Sequence, residues 1–125
     1  MSVTWHLDES GLLHVTGTGT VTDEEYLEAH RGFMAATADL AGPRLSIADW
    51  SGVTTMQLST TAIRTSAGVT TDDMRNREGG HRIALVAVAP VVFGMCRMWQ
   101  TLISESGVEC TVVGTREEAL AWLRR

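Results

Sequence analysis

The sequence contains no lysine, and all ten of its basic residues are arginines. That absence removes Schiff-base chemistry and the phosphate-gripping lysine of a P-loop. The arginines are scattered, with Arg75, Arg77 and Arg82 forming one loose group of three, and the formal net charge is −5. A phosphate backbone calls for clustered positive charge, so no nucleic-acid partner is expected. Cysteine is scarce as well. Cys96 and Cys110 are too far apart for a zinc knuckle or a CxxC pair, and each sits in an apolar run, as a small buried hydrophobe does. The histidines (His6, His14, His30, His81) lack metal-ligand spacing. His6 and His14 can meet across a hairpin but have no third ligand, so neither a metal nor a cofactor is expected. No run approaches the roughly 18 apolar residues of a membrane helix. Met1 to His6 shows no basic region followed by an apolar one, so no secretory signal is read and a cytoplasmic location is expected. Gly-x-Ser-x-Gly is missing, and no serine has a histidine or lysine at readable spacing. No catalytic residue is assigned, and the chain does not read as an enzyme.

What is present fits a single domain, residues 1–125. Val3, Trp5 and Leu7 alternate with polar residues, and Leu13, Val15 and Gly17 alternate again after a turn at Glu9-Ser10-Gly11, which predicts a hairpin. Thr22-Asp23-Glu24-Glu25 is a capping box opening a helix that buries Leu27, His30, Phe33 or Met34, and Thr37, and stops near Gly42-Pro43. Leu45 and Ile47 lead a strand to Asp49. A Ser/Thr-rich segment from Ser51 to Thr61 follows, ending in a short helix capped by Ser59. Residues 68–80 read as loop, and Ile83 to Val88 as a central strand covered on both faces. Pro90 opens a long helix reaching about Ser106, with Gly107 as its C-cap. Cys110 to Val113 is a last strand, and Thr115 to Glu118 caps a terminal helix. The order is ββαβαβαβα: an antiparallel N-terminal hairpin leading into a mainly parallel α/β sheet of about five strands with about four helices.

Three places could carry function. Gly17-Thr18-Gly19 invites a dinucleotide reading, but the third glycine position is Thr22, and Asp23, Glu24 and Glu25 occupy the helix N-terminus where phosphate would sit. It reads as a tight connection. Asp49 and Ser51, with Ser59 and Thr60 further on, form a hydroxyl-rich candidate ligand or switch loop; the same residues could simply bond turn backbone and cap a helix. The third place is the helix from Pro90. Val92, Cys96, Trp99 and Ile103 make one apolar stripe, while Phe93, Met95 and Met98 carry apolar surface beyond it, a candidate interface or pocket. Arg97 among them must reach solvent or pair with a carboxylate, of which Asp49 is one choice.

These segments resemble a family. Leu45-Ser46-Ile47-Ala48-Asp49-Trp50-Ser51-Gly52-Val53-Thr54 is similar to the D-[LF]-S-x-V segment of STAS (SpoIIAA-like) domains. Arg82 to Ala87, Phe93-Gly94-Met95-Cys96-Arg97-Met98-Trp99 and Glu118-Ala119-Leu120-Ala121-Trp122-Leu123 resemble bacterial STAS/SEC14-like proteins. The resemblance implies a right-handed βα fold with helices flanking the sheet. In its anti-sigma antagonist branch, a serine in an Asp-Ser-Ser-Gly turn is phosphorylated to switch partners. Here the acceptor position falls on Leu58, with Gln57 in place of the acid and Ser59 beside it. The resemblance therefore implies a non-catalytic regulatory or protein-interaction module, expected to be a homodimer. The alternative is a binder of a small apolar ligand or lipid, for which pliable Met34, Met56, Met95 and Met98 are suited.

Overall fold

The alternating N-terminal runs form β1 (Val3–Leu7) and β2 (Leu12–Thr22), paired antiparallel from Val3 opposite Gly17 to Leu7 opposite Leu13. In this computed structural model, which describes residues 2–125, the chain continues through α1 (Asp23–Thr37), β3 (Arg44–Gln57), α2 (Thr60–Arg75), β4 (His81–Val86), α3 (Pro90–Leu102), β5 (Glu109–Val113) and α4 (Arg116–Leu123). The strands lie in the order β1-β2-β3-β4-β5, and every pair after the first is parallel. The predicted order and strand directions are those observed.

Side chains alternate across the sheet, and the two faces are covered differently. Val15, Trp50 and Leu85 face α1, α2 and α3, meeting Ala29, Ile63, Val92 and Trp99. Ile47, Ala84 and Val86 face α4, meeting Ala119 and Leu123. No helix among the described residues is long and apolar enough to cross a membrane.

Several boundaries differ from the sequence reading. Gly17-Thr18-Gly19 is no connection: β2 runs through it, with irregular register at Thr16/Thr18 and Gly19/Thr20. Gly17 is needed because the Trp50 ring lies where its Cβ would be. Ser51 to Gln57 is strand rather than loop, since β2 supplies a ladder as far as Thr22 opposite Gln57. Most of residues 68–80 belong to α2. Ser66 and Thr70 on its buried face hide the apolar period, and Ser66 is tolerated there because its hydroxyl is fully bonded. α1 ends at Thr37, whose hydroxyl bonds back to the Phe33 carbonyl, and Leu27 is only half-buried. α3 ends at Leu102, not Ser106. Ser104 and Ser106 bond the carbonyls of Thr101 and Ile103 and break the run, leaving Gly107 at φ 92° in the turn beyond.

Thr22 and Thr115 cap their helices as expected. The reciprocal arms do not close on the cap N–H. Glu25 accepts from the N–H and hydroxyl of Ser2, and Glu118 from the Thr115 hydroxyl.

Candidate ligand-binding site

On the face covered by three helices, the alternation of β3 turns Arg44, Ser46, Ala48 and Trp50 inward, and that of β4 turns His81, Ile83 and Leu85 the same way. With α1, α2 and α3 they line a partly open cavity of about 70 Å³. That is room for about five water molecules, or a small organic molecule. Most of its wall is apolar. Phe33, Met56, Leu58 and Met95 in that wall are half-buried, whereas Arg44 and His81, at the N-terminal ends of their strands, are 1% and 5% exposed.

The helices are held around this space by one hydroxyl. Ser66 Oγ donates to the Ile63 carbonyl at 3.0 Å, accepts from Trp99 Nε1 at 3.1 Å and lies 2.7 Å from the Tyr26 hydroxyl. It therefore joins α1, α2 and α3. Cys96 also lines the cavity, but burial pushes its thiol up to about 12, so it is no nucleophile at neutral pH.

The polar end is built around Arg44. Its Nη1 lies 3.3 Å from Asp73 Oδ2 and 3.1 Å from Met34 Sδ. Asp73 is shared with Arg77, whose Nε is 3.1 Å from Oδ2 and whose Nη groups also bond the carbonyls of Leu40 and Thr37. Two guanidinium groups thus face one carboxylate, an excess of one positive charge. Burial lowers His30 to about 4 and His81 to about 3, with the Arg44 charge adding to it, so both rings are neutral at pH 7. His30 Nε2 meets Thr70 Oγ1 at 3.3 Å, and His81 Nε2 meets Ser46 Oγ at 3.2 Å. Arg44 Nε, Arg44 Nη2 and His81 Nδ1 have no hydrogen-bond partner in the protein. Among the described residues they are the only such buried side-chain nitrogens or oxygens.

The architecture recurs elsewhere. An uncharacterized protein of the DUF3478 family from Shewanella loihica PV-4, whose crystal structure is described as having a SpoIIAA-like fold, superposes with a TM-score of 0.63 at 16% identity, over 97% of this chain and 91% of that one. The fold is SpoIIAA-like. No protein-family model and no curated protein matches the sequence.

Within this SpoIIAA-like domain the candidate residues fall in separate places. Asp49 and Ser51 are not beside the cavity. Asp49 Oδ1 accepts from the N–H and hydroxyl of Ser51, at 3.0 and 2.6 Å, and Asp49 Oδ2 lies 3.8 Å from Arg116. Arg97 is exposed and is not the partner of Asp49, because α4 brings Arg116 there instead. Ser59 caps α2, and its N–H and hydroxyl both donate to Asp23 at the start of α1. Thr60, the first residue of α2, is exposed. The α3 set divides: Met95 and Trp99 line the cavity, while Phe93, Arg97 and Met98 face outward.

A second polar cluster lies across the sheet. His6 and His14 stack with centroids 4.5 Å apart. Both nitrogens of His14 are engaged, Nε2 with Asp8 Oδ2 at 2.8 Å and Nδ1 with Arg116 Nη2 at 2.7 Å, which leaves no free base. No group of three His, Cys, Asp or Glu among the described residues is placed to hold a metal.

Sequence reasoning missed Arg44, His81, Asp73 and Ser66. A signal for Arg44 was there, since Arg44, Ser46, Ala48 and Trp50 share one phase of a strand and Trp50 must be inside. Its charge argued for the surface and obscured the phase.

Proposed function

We propose that this domain is a non-catalytic binding module that takes up a small, largely apolar molecule between its sheet and α1–α3. One observation carries the reading: a cavity of about 70 Å³, walled mainly by apolar side chains, between the sheet and three helices. Met34, Met56 and Met95 in the wall are pliable enough to adjust to a guest. The unpaired thiols of Cys96 and Cys110 fit a reducing, cytoplasmic setting. The test is a titration with 1-hexanol while the indole N–H signals of Trp50 and Trp99 are followed by NMR. Saturable shifts of both are expected. Unchanged signals at millimolar hexanol overturn the reading.

A second reading, a regulatory or protein-interaction module that self-associates, is favoured by the outer face of α3. Val91, Phe93, Met98 and Leu102 are 63, 39, 37 and 37% exposed. It expects a dimer by sedimentation that Met98→Asp dissociates. A strict monomer at high concentration overturns it.

A further inference from the structure

We propose that the molecule bound in the cavity is an amphipathic monocarboxylate whose head group is gripped by Arg44 Nε and Nη2 together with His81 Nδ1. The inference rests on the ligand-binding reading of the cavity and adds the chemistry of the guest.

Three features of the cavity's polar end point to an anion. The first is the unmet donors. Nε and Nη2 form one edge of the guanidinium, the fork that matches the two oxygens of a carboxylate, and on Arg44 that edge is free while Nη1 alone is bonded. The second is the tautomer available to His81. When the Ser46 hydroxyl donates to Nε2, the neutral ring carries its proton on Nδ1, which makes the free nitrogen a third donor. The third is charge. Arg44 and Arg77 share Asp73, so the buried cluster lacks one negative charge. A carboxylate supplies that one charge, whereas a phosphate dianion would exceed it.

The remainder of the site matches the remainder of such a molecule. Besides Arg44 and His81 the cavity is lined by Trp50, Trp99 and half-buried Met56 and Met95, and no other unpaired buried side-chain nitrogen or oxygen among the described residues belongs to its wall. A short aliphatic or aromatic tail suits that wall. A buried arginine with an unbonded edge is unfavourable in the protein alone, and a guest that bonds it relieves the penalty only on binding.

The experiment compares hexanoate with 1-hexanol, of like length and without the charge, on the whole wild-type chain, following the same two indole signals and the melting temperature. Hexanoate is expected to bind about ten- to a hundredfold more tightly, the range of a charge-assisted pair. In Arg44→Met that advantage is expected to vanish while hexanol binding persists. If hexanol binds wild type as well as hexanoate does, the head-group assignment falls and the apolar cavity reading stands. If neither binds, both fall. Should Arg44→Met fail to fold, the wild-type ratio decides by itself, and inorganic phosphate binding more tightly than hexanoate overturns the monocarboxylate.

Discussion

Arg44 and Arg82 enter neighbouring parallel strands one step apart in register, Arg44 opposite His81 and Leu45 opposite Arg82. Strand alternation sends them to opposite faces of the sheet. Arg82 meets the end of α4, where Nε bonds Glu109, Nη1 bonds the carbonyls of Leu123 and Arg125, and Nη2 bonds that of Trp122. Its guanidinium also lies 4.2 Å from the centre of the Trp122 ring. Each of its nitrogens is bonded, Nη1 and Nη2 to carbonyls at the end of α4 and Nε to Glu109 at the start of β5. Arg44 is more deeply buried and uses one nitrogen of three. An arginine whose bonds are complete is part of the frame. One that is buried with bonds to spare marks where the frame has room for something else.

The contrast is most severely tested at Asp73. Asp73→Asn leaves Arg44 and Arg77 facing each other without a carboxylate, and breaking such a pair on one side is expected to cost about 3 kcal/mol by denaturant unfolding. Hexanoate is expected to restore part of the loss, because it brings the charge back. A loss below about 1 kcal/mol would mean that the cluster is not short of negative charge.

The next effect is with pH. His30 and His81 are held near 4 and 3, below the ordinary value of 6.5, chiefly by burial. The unfolded chain therefore binds protons that the folded chain refuses, so stability is full above pH 6.5 and falls as pH drops towards 4. Between pH 6.5 and 5.5 two such groups together remove about 2 kcal/mol. Asp8, Asp23 and Glu25, whose hydrogen bonds hold them below the ordinary carboxylate range, act in the same direction but only at lower pH. His81→Phe is expected to halve the slope in the upper window. A flat stability profile from pH 7 to 5 would place the two rings in water.

The sequence made the frame legible and the cavity's polar end illegible, for one physical reason. Val3, Leu13, Val15, Ile83 to Val86 and the caps Thr22, Ser59 and Thr115 announce themselves because their chemistry and their location agree, whereas Trp5 and Leu7 of the same hairpin pattern are exposed. Arg44, Ser66, Thr70 and His81 are polar residues at buried positions, so composition argues against the phase that places them. The second half of α2, from residue 68, reads as loop for that reason, and Ser51 to Gln57 because a strand of hydroxyls looks like a turn until its partner strand is known. The α3 residues could be picked out by their breadth of apolar surface, but which of them line the cavity depends on where α2 packs.

The smallest effects discriminate the two faces most directly. Arg82→Met removes four charge-assisted bonds, partly exposed to solvent, and is expected to destabilise by about 1–2 kcal/mol and to speed amide exchange at the end of α4. Arg44→Met is expected to leave stability within about 1 kcal/mol of wild type, or to raise it, although the residue is the more buried of the two. The substitution leaves Asp73 paired with Arg77, one charge against one, and ends the burial of donors that nothing in the protein satisfies. A residue that is almost wholly buried and yet dispensable for stability is the expected signature of a group kept for binding. If Arg44→Met proves more destabilising than Arg82→Met, Arg44 belongs to the frame after all, and its free edge must be bonded by ordered water rather than by a guest.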